Sequence, residues 1–158
     1  ICCIGAEYVP DDFHARFSAV AKCYTYKIDN TMFGNVFLKN YTWHYKYRLN
    51  FEDMCKAAKM FEGEHDFKAF CATGSVVKST VRTIYEIILK KDEGIITISV
   101  KGNGFLYNMV RIIVGTLVYV GCGKMSCEDV QRAIDGGERK MAGITAPPQG
   151  LYMAKVYY

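Results

Sequence analysis

The segment Gly102 to Gly121, GNGFLYNMVRIIVGTLVYVG, restricts the fold more than any other, because it carries a single charge, Arg111, in an otherwise uncharged run. Positions 106, 109, 110, 113 and 117 are apolar at helical spacing, and a Gly-Asn-Gly turn precedes them. The run therefore predicts an amphipathic or largely buried helix. Arg111 stands among its core positions. A guanidinium keeps its proton in a protein, so burying it costs several kcal/mol unless a carboxylate or phosphate meets its donors. Two outcomes stand open: a functional anionic partner, or an arginine that snorkels to the helix edge and pairs structurally. The uncharged stretch after Arg111 is far shorter than the roughly 20 apolar residues a bilayer requires, so no membrane span is expected.

With 158 residues and 51% hydrophobic side chains, the chain can bury a real core and is expected to form one domain over residues 1–158. A net charge of +4 alongside 12 tyrosines, 9 phenylalanines and a tryptophan tilts it towards polyanions, although charge of this size is common in proteins that bind none. Seven cysteines form no CxxC pair, and His14, His44 and His65 are scattered. No metal site, disulfide framework or cofactor is expected, and free thiols suit a reducing cytoplasm. The opening Ile1-Cys2-Cys3-Ile4, without an initiator methionine, resembles the tail of a strand and suggests a fragment.

Along the chain, residues 22–28 (KCYTYKI) alternate, with Tyr24, Tyr26 and Ile28 on one strand face and Cys23, Thr25 and Lys27 on the other. Residues 51–62 place Phe51, Met54, Ala57, Ala58 and Phe61 at helical spacing, with Asn50 as N-cap and Gly63 just past the end. The β-branched run Thr80 to Lys90, the turn 91–94 and the alternating Ile96, Ile98 and Val100 predict a hairpin. After the Arg111 helix comes a shorter one capped by Ser126, with Asp129 three residues on, ending at Gly136-Gly137. A strand over Leu151 to Tyr157 closes the chain. The order β, α, β, β, α, α, β lacks regular βαβ alternation and fits an α+β fold, a mainly antiparallel sheet with helices on one face.

Residues 39–48 (KNYTWHYKYR) interleave basic and aromatic side chains, as where bases stack and cations hold phosphates. An amphipathic strand whose tyrosines cover a sheet edge explains the pattern at least as well. His14 and Arg16, His65 and Asp66, and Ser79 to Thr83 are polar groups amid aromatic neighbours, suited to holding loops in place. No nucleophile triad, paired carboxylates or phosphate loop is present.

Taken in order, FHARFSAVAKCYTYKI, GEHDFKAF, STVRTIYEI, the Gly102–Gly121 segment and TAPPQGLYMAKVYY resemble the C-terminal half of the bacterial tRNA pseudouridine synthase A family, over nearly the whole chain. The resemblance implies one half of the pseudouridine synthase fold and a cofactor-independent isomerase acting on uridines in the tRNA anticodon arm, as a homodimer. The family's catalytic aspartate lies in a GRTDAGVHA-type motif of the N-terminal half, which is absent here. The isolated chain is therefore expected to be inactive, and none of its own aspartates takes that role. Residue by residue, Arg111 corresponds to the arginine that pairs with that aspartate, Tyr24 to the tyrosine that packs on the target base, and Leu151 to the leucine on the base's other side. Arg16, Arg82 and the 39–48 stretch are implied RNA contacts. Cys23 departs from the family, where a basic residue is frequent. Two further readings are a non-catalytic RNA-binding module of the same fold and a structural half that buries Arg111 against another subunit.

Overall fold

The computed structural model describes residues 2–3, 5–72, 74 and 77–158. Among these residues six strands and three α-helices follow one another as β1 (Ala21–Asp29), β2 (Trp43–His44), α1 (Phe51–Lys59), β3 (Gly63–Asp66), β4 (Val81–Asp92), β5 (Ile95–Gly102), α2 (Met109–Gly121), α3 (Cys127–Gly136) and β6 (Leu151–Tyr157). The sheet runs β2-β1-β5-β4-β3, with β6 also on β1. β1 pairs antiparallel with β5 on one side; on the other, β6 takes Ala21–Tyr26 and β2 takes Ile28 and Asp29. All pairings are antiparallel except β1 with β2, so the α+β architecture expected from the element order holds.

The alternation of β1 does what its period requires. Tyr26 and Ile28 are buried with Ile96, Ile98 and Val100 of β5 and Ile84 and Ile87 of β4, facing the helices in one core. Ile84 and Ile87 both point inward at a spacing of three because the β4–β5 register shifts between Ile84 and Glu86. Such a bulge inserts one residue and restores the inward phase. At the β4–β5 turn, Glu93 and Gly94 both take positive φ, 44° and 82°, as a tight two-residue hairpin connection demands.

α1 starts where Asn50 accepts from the Asp53 amide, and α3 carries a full capping box between Ser126 and Asp129. α1 ends at Lys59, three residues short of the expected end, because Gly63 at φ +104° opens β3. The sequence predicts no strand at β3, whose four residues are too short to show alternation, and β2 keeps only two residues of the edge strand considered over 39–48; both owe their strand character to their neighbours. The strand tail expected at Ile1 to Ile4 rests partly on Ile1 and Ile4, outside the described residues, while Cys2 and Cys3 belong to no strand. Among the described residues no helix is long and apolar enough to cross a membrane. Nor do they form a group of three or more potential metal ligands.

Candidate active site

β1 places Tyr24 on its helix-facing side, half-buried, where its ring meets Phe105 edge-on at 5.2 Å. One turn of strand further, Tyr26 is fully buried and its hydroxyl donates to the Pro147 carbonyl at 2.6 Å, anchoring the segment that leads into β6. Gly150 must lie there without a side chain, since a Cβ would stand 2.7 Å from the Lys27 carbonyl oxygen and from the Tyr26 ring. That close approach delivers Leu151 beside β1, opposite Tyr26 in the β1–β6 register.

α2 supplies the arginine. Its N-cap, Asn108, takes left-handed backbone at φ 59°, a conformation asparagine tolerates better than most residues, and its side chain makes no cap bond. The Asn108 Oδ1 instead accepts from Arg111 Nη1 at 2.9 Å. Arg111 Nε donates to the Ala146 carbonyl at 2.6 Å, while the Ala146 amide donates to the Arg111 carbonyl at 3.0 Å. Arg111 is thus half-buried and held by neutral acceptors, and among the described residues no carboxylate pairs with it. A guanidinium has five N–H donors, so most of its capacity stays open.

The loop that receives Arg111 is built for the purpose. The Gly143 amide donates to Thr116 Oγ1, Arg139 donates to the Gly143 carbonyl and to Thr145 Oγ1, and the loop packs directly against Gly115 of α2. Tyr24, Arg111 and Leu151, with Phe105, Tyr107 and Asn108, line one cavity of about 250 Å³. Burial pushes the Tyr24 phenol above its ordinary value, so it is protonated and able to donate at neutral pH.

The structure therefore brings three of the five sequence-expected residues together. Arg82 lies outside the cavity, donating to the Ser79 and Val81 carbonyls, with its side chain by Gly104 in the turn that precedes the site. Arg16 is exposed, its guanidinium 5.6 Å from the Phe17 ring, in a loop where His14 Nδ1 accepts from the Arg16 and Phe17 amides. His65 Nε2 is hydrogen-bonded to the Glu62 carbonyl, a loop-holding contact as expected. The 39–48 stretch is not the amphipathic strand weighed as its plain reading: only Trp43 and His44 pair as strand, and Trp43, Tyr45 and Tyr47 instead stack edge-on in series from Tyr26. Sequence reasoning missed Asn108, Ala146, Phe105 and Tyr107. Asn108 alone had a local signal, an asparagine at the very start of a helical period.

A family model described as tRNA pseudouridine synthase matches residues 57–158. The chain is 51% identical over 158 residues to the tRNA pseudouridine synthase A of Thermoanaerobacter pseudethanolicus, covering 100% of this chain and 65% of that protein. It is 51% identical to that of Ruminiclostridium cellulolyticum, covering 98% and 63%, and 47% identical to that of Bacillus subtilis, covering 97% and 62%. The chain belongs to the tRNA pseudouridine synthase A family. It spans about 65% of the length of the first of these relatives and corresponds to the C-terminal part. The family resemblance seen in the ordered blocks is borne out. The matched region includes Arg82, Arg111 and Leu151, whereas Arg16 and Tyr24 precede it and are covered by the whole-chain identity.

Proposed function

We propose that residues 1–158 form one unit, the C-terminal half of an enzyme that converts uridine to pseudouridine in the anticodon arm of tRNA. The observation that carries this reading is the convergence of Tyr24, Leu151 and Arg111 from β1, β6 and α2 on one cavity, around an arginine engaged only by neutral acceptors. An aspartate from the part of the protein N-terminal to this one meets the open donors of Arg111, and that pair keeps the carboxylate ionised and aimed. The target uridine leaves its stack and lies between the Tyr24 ring and Leu151. The reaction breaks the bond from uracil N1 to ribose C1′, forms one from C5 to C1′ and moves the C5 proton to N1 through solvent, so atoms balance without a cofactor. Arg16 and Arg82 contact phosphates outside the cavity. The protein works in the cytoplasm, as a homodimer.

The test measures release of tritium from 5-tritiated uridine in an unmodified tRNA transcript. The full polypeptide encoded by the gene is expected to release it, and residues 1–158 alone to bind the tRNA without releasing any. Release by residues 1–158 alone would overturn this division of labour, and tRNA binding without conversion by the full polypeptide would favour the RNA-binding module.

A further inference from the structure

Beside the candidate active site lies a second cavity, of about 550 Å³, formed where the loop after β1 folds over β2 and meets the segment leading into β6. Phe33, Lys39, Asn40, Trp43, His44 and Gln149 line it. The loop is heavily tied. The buried Asp29 carboxylate accepts from the Thr31 amide, the Thr31 hydroxyl and the Asn35 amide, Asn30 Nδ2 donates to the Tyr45 and Tyr47 carbonyls, and His44 Nε2 bonds the Thr31 carbonyl. Yet this rigid loop holds Phe33 93% exposed. Among the described residues the side chains of Lys39, Asn40 and Gln149 form no hydrogen bond or ion pair.

Aromatic faces, amide groups with free donors and acceptors, and one cation at the rim are what a nucleotide needs: stacking, edge recognition and phosphate contact. The Asp29 charge at the floor repels a phosphate from the depth of the cavity, which leaves the base inside and the phosphate at Lys39. A single cation is too little for a free nucleoside polyphosphate. Gln149 in this cavity and Leu151 in the first are two residues apart, at most about 7 Å of chain. We infer that this cavity is a second nucleobase subsite, which takes the nucleotide adjacent to the target uridine of the same RNA strand. The inference rests on the proposed tRNA substrate.

Phe33→Ala, Asn40→Ala and Gln149→Ala truncate exposed side chains, so the fold should survive them. They are measured in the full gene-encoded protein against an unmodified tRNA transcript and against two transcripts abasic 5′ or 3′ of the target uridine. Each variant is expected to raise KM roughly tenfold with kcat within about twofold, the scale of one lost base contact. On one of the two abasic transcripts the variants and the unsubstituted protein should become equal. KM values unchanged by all three variants, or equal losses on every transcript, would overturn the subsite while leaving the proposed function standing. A shift of oligomeric state by Phe33→Ala without a KM effect would overturn it in favour of a protein interface. An unsubstituted protein that neither binds nor converts the transcript would overturn the substrate reading and the subsite together.

Discussion

Arg111 gives its Nε to the Ala146 carbonyl and one terminal nitrogen to Asn108, contacts that aim the guanidinium and leave its remaining donors for an anion. A lysine has the charge without the planar fork. In the full gene-encoded protein, Arg111→Lys is expected to lower kcat/KM for the proposed uridine conversion by at least about 100-fold, as a roughly 1 Å misplacement of a reacting group does, with the unfolding midpoint little changed. Tritium release and urea unfolding on one preparation check both halves. Arg111→Lys kinetics like those of the unsubstituted protein would remove the arginine from the chemistry. Tyr24, Tyr26 and Tyr45 form a set by protonation: burial raises all three, and burial followed by contact with Cys122 pushes Tyr45 up to about 12. Of the 12 tyrosines, these and Tyr152, which burial also raises, should be the last to ionise in a spectrophotometric alkaline titration of the folded protein. The sequence placed Tyr24 and Tyr26 on one face by alternation, but only the β1–β6 pairing and the Pro147 carbonyl show that one lines a cavity while the other anchors the segment beside it.

α2 was the element most readable in advance, and its contact with the 143–146 loop the least. Gly115 looks like a defect in a helix until its surroundings are known: a Cβ there would stand 1.8 Å from the Ile144 carbonyl oxygen. Gly115→Ala is therefore expected to destabilise by about 3 kcal/mol or more, since the loop backbone must move off the helix. In the full gene-encoded protein it should also impair the proposed uridine conversion, because the same loop holds the Ala146 acceptor. Gly5→Ala, with nothing within 4 Å, serves as the neutral comparison in the same denaturant titration. Thr116 is buried, and its hydroxyl accepts from the Gly143 amide while donating to the Ile112 carbonyl. Thr116→Val leaves that amide unpaired and should cost about 1–3 kcal/mol by the same measurement. Helix periods and caps were visible because they are local. β3 has no signal in the sequence, and the extent of β2 within 39–48 has none either, because a strand of two or four residues exists only by pairing.

Across the whole molecule, stability should fall on both sides of neutrality for identifiable reasons. Burial alone would raise Asp29, but the hydrogen bonds from Thr31 and Asn35 outweigh it, and with the nearby His44 they hold the carboxyl below its usual range. Its contribution is present above about pH 4, the unfolded value, and is lost as pH falls through the lowered folded value. The raised tyrosines act oppositely: their contribution is full below about pH 10 and is lost as pH rises through their folded values. Urea unfolding from pH 2 to 11 should show both limbs, and Asp29→Asn should flatten the acid one. The sequence by itself determined the helices, the β4–β5 hairpin, the helix-facing side of β1 and the family, because periodicity, caps and ordered motifs are properties of short stretches. It also marked Arg111 as an oddity. Only the tertiary structure decided what Arg111 touches, since its acceptor at Ala146 lies 35 residues away and is brought there by packing on Gly115 and Gly143. A hydrogen-bond partner is chosen by which surfaces meet in space, and no local pattern of side chains encodes that meeting.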